Sequence, residues 1–347
     1  MFKFLVQIIP LGLMYGSSGA FLSPENLVGR SGAKFPPESA TVSGLFFSAN
    51  SSVKPSERFI DPIVLRNELH VAGPFWSDID DPEYFYVPVP KHLTITEKDC
   101  ADWRWENGKW DRSEGLDLDA PEYRWQKINA WGTDSDLMKS NREVAAQEPW
   151  SFVPVLHPKL KSDERVVDKN GLFLENAVQL SDEHSLIYLA THKMPDGWYR
   201  LGGEGHFVEV KCHELPDDSP IVTQLRKPID RAFALITPGV WGSTRFSYRY
   251  PQATDFPNPM AMLLDRPATY RYRAGGRLGR GRYSVPAGGV YVLEEPLGQT
   301  WWDFPEHWFP KEGPSLKHFG CGLCLPIDLD ITSTTSNNTN LITNGVA

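Results

Sequence analysis

The chain has 347 residues, 41% of them apolar and 23% charged, and a net charge of −9 at pH 7. Those are globular values with room for two domains or one large one. The acidity argues against free, nonspecific nucleic-acid binding, four scattered cysteines exclude a disulfide framework, and the lack of any apolar run of about 18 residues excludes a membrane-spanning helix. The 28 Gly and 29 Pro suit many short strands joined by turns better than a helical bundle.

Phe2 to Ile9 is the first strand candidate, ended by Pro10. The same region, Met1 to Ala20, also has the layout of a secretory signal peptide: a lysine, an apolar run and a small-residue end. Residues 29–44 form a loop carrying Arg30 and Lys34, and a helix starts near Pro37 with Ser43 in its first turns. A basic loop feeding a helix N-terminus suits an anion, and it equally describes an ordinary capped helix. A second helical piece lies within Ile60 to Leu69. Tyr84 to Pro90 reads as extended, with prolines that confine it to an edge or a linker.

Trp103-Arg-Trp-Glu-Asn-Gly-Lys-Trp110 predicts a β-hairpin, because Asn-Gly is the preferred two-residue turn. It would display Trp103, Arg104, Trp105 and Lys109. Residues 111–165 are polar and weakly periodic, with helix expected near Asp134 to Gln147; their tryptophans suit a satellite core or a base-stacking surface. Strands are expected around Leu174 to Leu180 and Ser185 to Ala190. A Gly-rich turn holding Gly203 and His206 leads into an alternating strand, and Arg231 to Pro238 is a buried strand.

Tyr270 to Tyr291 is the sharpest local signal. It sets Arg271, Arg273, Arg277, Arg280 and Arg282 among glycines, and no acidic residue falls between Asp265 and Glu294. Arginine forks match phosphate and stack on bases, and glycines allow close backbone approach. The reading is a basic grip for a nucleic-acid backbone or a surface loop with solvated arginines. Beyond Ile331 the chain is polar, of low complexity and expected to be disordered.

Enzymatic signatures are sparse. There is no phosphate-binding GxxxxGK[ST], no HExxH and no GxSxG. Cys321-x-x-Cys324 is a single pair: a structural turn, or zinc if Cys212 and His213 joined it. His206 could act as a general base in metal-independent RNA cleavage, or be a turn residue.

Several segments together resemble one family. They are Phe35-Pro-Pro-Glu-Ser-Ala-Thr-Val-Ser-Gly-Leu, Ala72-Gly-Pro-Phe75 with Tyr86-Val-Pro-Val-Pro90, Leu201-Gly-Gly-Glu-Gly, Leu235-Ile-Thr-Pro238, Val285-Pro-Ala-Gly-Gly-Val-Tyr291 and Phe319-Gly-Cys-Gly322. In order and spacing over residues 1 to about 325 they resemble the RAMP-superfamily third subunit of the type III-B CRISPR (Cmr) effector complex, which caps the 5′ handle of crRNA. Residues 111–165 and the polar tail fall outside the resemblance.

The resemblance implies an α+β fold with two ferredoxin-like (RRM-like) modules. The first would span 1–210, with an insertion around 95–165; the second would span 211–331 and carry the Gly-rich basic loop; residues 332–347 would be a tail. It implies a noncatalytic, cytoplasmic subunit with no cofactor and no metal, acting in antiviral defence. It would bind crRNA, bridge the large polymerase-like subunit to a backbone RAMP subunit, and meet target RNA indirectly. It makes Phe2 to Ile9 a structural strand. The RNA-contact residues it points to are Arg30, Lys34, Ser43, Gly203, His206, Arg245, Arg277, Arg280 and Arg282, with the Trp103 to Trp110 hairpin as a thumb near the 5′ end of the guide. The alternatives are a metal-independent endoribonuclease that processes precursor crRNA, and a secreted protein.

Overall fold

The computed structural model describes residues 1–15, 35–97, 99–112, 121–133, 135–140, 144–161, 164, 166–243, 246–271, 273–274, 277–329 and 331–332. The fold is mixed α/β, rich in strands and poor in helices.

Phe4–Pro10 is an interior strand. It pairs antiparallel with His184–Ala190 on one side and His206–Glu214 on the other. Its sequence, FLVQIIP, is a nearly continuous apolar run, which is what a strand covered on both faces requires. Leu5, Val6 and Ile8 are buried. Gln7 is tolerated between them because its amide donates to Ile79 O at 2.8 Å and to Ser185 Oγ at 3.1 Å. Hydrogen bonding extends this core to eight strands in the order Gly197–Leu201, His206–Glu214, Phe4–Pro10, His184–Ala190, Val71–Asp78, Tyr86–Pro88, Trp125–Lys127 and Ala145–Ala146.

The two faces of this sheet are filled differently. Helix Ser39–Ser52 lays Val42, Leu45, Phe46 and Ala49 over Val6, Ile8, Val208 and Val210. The opposite face, with Phe2, Leu5, Phe75, Ile187 and Leu189, joins a core shared with a second sheet. That second sheet has four strands, ordered Pro259–Leu263, Val290–Leu293, Ala232–Leu235 and Cys324–Pro326, all antiparallel. The Arg231 to Pro238 expectation corresponds to its strand Ala232–Leu235, whose residues are all buried.

Two ribbons leave the sheets. Cys100–Glu106 pairs with Lys109–Arg112 across Asn107 (φ 51°) and Gly108 (φ 76°). Positive φ at both turn residues is the type I′ geometry that Asn-Gly encodes. The longer ribbon joins Trp150–Leu160 to Val167–Leu180.

The structure differs from the sequence reading in three places. Tyr86–Pro88 is an interior strand rather than an edge, paired with both Val71–Asp78 and Trp125–Lys127. Proline is accommodated because the first of these pairings is confined to Trp76↔Tyr86. The helix near 134–147 is shorter, Ser135–Ser140, and the following tract is mostly ribbon. Ile331–Thr332 is a strand, parallel to Trp105 and Glu106, and residues 333–347 lie outside the described residues.

Candidate nucleic-acid interface

The short segments singled out in the sequence lie far apart in the chain and meet in space. Ser39 Oγ donates to Gly73 O at 2.8 Å, and the Tyr188 hydroxyl donates to Pro37 O at 2.6 Å. Gly202 packs against the Thr41 methyl, at 3.7 Å from where its Cβ would stand. Gly320 sits so close to the Val71–Asp78 strand that a Cβ there would lie 2.4 Å from Ala72 Cα. Its carbonyl accepts from Thr237 Oγ1 at 2.6 Å, and Thr237 Oγ1 in turn accepts from Leu323 N–H at 2.9 Å. Gly288 N–H donates to Leu235 O at 2.7 Å, and Lys91 N–H donates to Gly288 O at 2.8 Å. The helix start, the Gly-rich turn, the segments 72–75, 86–90 and 235–238 and the segments around Gly288 and Gly320 thus form one contact chain across the junction of the sheets.

The described residues of the basic stretch form an antiparallel ribbon rather than an irregular loop. Ala268–Tyr270 pairs with Arg282–Ser284, and Arg273–Ala274 pairs with Arg277–Leu278 further out. Its base is fixed internally. The Arg282 side chain is 4% exposed and its guanidinium lies 3.2 Å from Glu312 Oε1, while Nη1 donates to Ser243 O at 2.6 Å. The same carboxylate accepts the Arg280 N–H, with both oxygens at 3.2 Å. Arg271 Nε reaches across the ribbon to Gly279 O at 2.6 Å. The structure therefore places Arg282 in the ribbon's foundation and leaves Arg280 exposed on its surface.

Aromatic side chains stand beside these arginines. Tyr283 is exposed, and its N–H donates to Ser247 Oγ at 3.0 Å, which ties the ribbon to the turn carrying the exposed Phe246. Bases can stack on such rings while arginines hold phosphates. A second surface of this composition lies on the outer hairpin of the large sheet. Trp198 is 77% exposed, and the Arg200 guanidinium sits 4.4 Å from the Phe207 ring centroid. The sequence pointed to the Gly-rich turn between these strands but not to the rings; the Trp-x-Arg alternation before the turn was the available signal.

The other expected contact residues are dispersed. Ser43 is buried on the sheet-facing side of its helix. Gly203 is exposed in the turn after Leu201. His206 opens the next strand, accepts the Tyr15 N–H on Nε2 at 3.1 Å and stacks on the Tyr15 ring at 5.7 Å. Arg30, Lys34 and Arg245 lie outside the described residues, as do the side chains of Arg273 and Arg277. In the Trp103 to Trp110 hairpin, Trp105 meets Trp110 edge to face at 5.3 Å. Arg104 Nε bonds Asp102 at 3.0 Å, and Lys109 lies 3.6 Å from Asp111.

Cys321 and Cys324 are buried structural residues. Cys321 Sγ accepts the Val240 N–H at 2.9 Å. Burial pushes the Cys321 thiol up to about 12 and Cys324 well above its usual value, so both are protonated thiols in this setting. Among the described residues, no helix is long and apolar enough to cross a membrane.

No family model and no curated protein matches the chain. Solved structures do. The chain is similar to one in the type III-B Cmr-beta complex bound to cognate target RNA, at 10% identity and a TM-score of 0.48, covering 83% of this chain and 86% of that one. It is similar to a chain of the Csm3–Csm4 subcomplex of the type III-A CRISPR-Cas interference complex, at 12% identity and a TM-score of 0.43, covering 85% and 94%. A chain of the Csm1–Csm4 cassette in complex with pppApA follows at 13% identity and a TM-score of 0.37, covering 84% and 87%.

Proposed function

We propose that this chain is a noncatalytic RAMP subunit of a type III CRISPR effector complex, one that binds and caps the 5′ handle of crRNA and bridges the large polymerase-like subunit to the backbone. The observation that carries this reading is the convergence described above. Segments such as Ser39, Gly73, Gly202, Thr237, Gly288 and Gly320 carry the sequence resemblance separately, and they touch one another in sequence-distant pairs. Unrelated chance matches would not be expected to do so.

Strand order supports two ferredoxin-like modules. Numbered along the chain, the central strands Phe4–Pro10, Val71–Asp78, His184–Ala190 and His206–Glu214 stand in the spatial order 4-1-3-2. The second sheet's strands Ala232–Leu235, Pro259–Leu263, Val290–Leu293 and Cys324–Pro326 stand in the same order. The division between modules, expected after residue 210, would then fall after Glu214, where the strand His206–Glu214 ends, with the insertion around 95–165 in the first. The outer strand Gly197–Leu201, paired with His206–Glu214, would take the place of a second crossover helix there.

RNA would be held by Arg277 and Arg280 of the ribbon, with Tyr283 and Phe246 as stacking partners. Arg282 would keep the ribbon in position, and Arg30, Lys34 and Arg245 would add phosphate contacts. The Trp103 to Trp110 hairpin would act as the thumb. Protein partners would cover the long ribbon, whose Phe152, Leu156, Leu172 and Leu174 are exposed. Apolar residues on paired positions such as Leu156↔Leu174 make a surface that water does not favour. Fluorescence anisotropy with a repeat-derived 5′-handle RNA tests the binding role: specific binding that is lost in R277A/R280A supports it, and equal binding to unrelated RNA contradicts it.

A further inference from the structure

We propose that His70, His318 and Glu306 form a binding site for a zinc-class divalent cation, which clamps the start of the Val71–Asp78 strand to the C-terminal helical turns. One ligand atom from each residue lies within 4.8 Å of the other two. His70 precedes a strand of the large sheet. Glu306 and His318 come from the short turns Glu306–Trp308 and Leu316–Phe319, so the site joins segments some two-thirds of the chain apart.

The hydrogen bonds around the two rings define their tautomers. His70 Nδ1 is 3.1 Å from Glu68 O, and His318 Nδ1 is 3.0 Å from Leu69 O. A carbonyl oxygen only accepts, so each Nδ1 carries the proton and each Nε2 presents its lone pair. This is the arrangement by which outer hydrogen bonds orient metal-ligating histidines. His318 Nε2 faces Glu306 Oε1 at 4.0 Å, too far for a hydrogen bond.

The charged neighbours leave the cluster open to a cation. Lys317, the nearby cation, is tied down elsewhere, donating to Trp302 O at 2.7 Å and Phe304 O at 2.6 Å. Glu306 supplies the compensating negative charge and is 49% exposed, which opens the site to solvent and leaves its carboxylate room to move.

Two imidazoles and one carboxylate suit zinc and its neighbours, whereas magnesium and calcium prefer oxygen ligands. The rings are stacked at 4.2 Å with an interplanar angle of 16°. An ion bonded at about 2.0–2.2 Å to each donor requires the rings to tilt out of that stack about their anchored Nδ1 atoms and Glu306 to close by a rotamer change. Water takes the remaining position.

The test uses the tag-free full chain, stripped with chelator and titrated with ZnCl2 by calorimetry and thermal melting, with CoCl2 as a spectroscopic probe. The expected result is one equivalent bound, a higher melting temperature and a tetrahedral cobalt spectrum. H318A and E306Q should each weaken binding at least tenfold, whereas H307A, at an exposed neighbouring histidine, should not. E306Q alters only an exposed side chain, so its result stands even if a histidine variant fails to fold. Absence of stoichiometric binding by the wild type, or unchanged affinity in both E306Q and H318A, overturns the proposal.

Discussion

Arg282 and Glu312 form a buried ion pair at the foot of the basic ribbon, with side chains 4% and 13% exposed. The glutamate also receives the Arg280 backbone N–H, so one carboxylate fixes two neighbouring ribbon residues. Removing one partner of a buried pair leaves the other charge desolvated, which costs about 3–5 kcal/mol. R282A and E312Q should therefore lower the denaturant midpoint substantially. R280A, at an exposed position, should change stability by less than about 0.5 kcal/mol while weakening RNA binding. Chemical denaturation and RNA anisotropy on the same samples separate the two effects.

Phosphate contacts release counterions, and each contact to a single strand contributes about 0.7 to the slope of log affinity against log salt. R277A and R280A should each flatten that slope by roughly this amount. Titrations at several salt concentrations check it; an unchanged slope would place these arginines away from the RNA backbone.

Glycine substitutions should rank by space. At Gly320 φ is +64° and a Cβ would meet Ala72 Cα at 2.4 Å, backbone against backbone. G320A should cost several kcal/mol, more than the roughly 1–2 kcal/mol of left-handed strain alone. At Gly108 φ is +76° with nothing within 4 Å of the added carbon, so G108A should cost only the strain. Urea unfolding of the two variants provides the comparison.

His92 predicts acid sensitivity. Burial lowers it to about 4, outweighing the opposing attraction of Asp102. Its folded value lies below the ordinary 6.5, so the unfolded chain takes up the proton first as pH falls. Its contribution is fully present above pH 6.5 and is lost between 6.5 and about 4. The loss amounts to about 3 kcal/mol at most. Denaturant midpoints measured across that range should decline, and H92N should decline less steeply; parallel profiles would rule the histidine out as the cause.

Much of the fold was legible where local chemistry dominates. The apolar run of Phe4–Pro10, the Asn107-Gly108 turn and the Ala232–Leu235 strand follow from periodicity and turn propensity. The long ribbon was legible only over Leu174 to Leu180, because its outer positions such as Leu156 and Leu172 are exposed and mimic no core pattern. The basic ribbon was visible as composition, yet the role of Arg282 was not. Its partner Glu312 lies 30 residues on, and nothing local marks that pairing. The His70–His318 contact escaped for the same reason, at a separation of 248 residues (318 − 70).

The most direct test of the crRNA-capping role is to tag the protein in its native host, purify it gently and sequence the RNA that accompanies it. Reads sharing a common repeat-derived 5′ handle, together with other type III subunits and with loss of both in R277A/R280A, are the predicted result. A preparation with no RNA enriched above background would contradict the role and return the ribbon to an ordinary solvated hairpin.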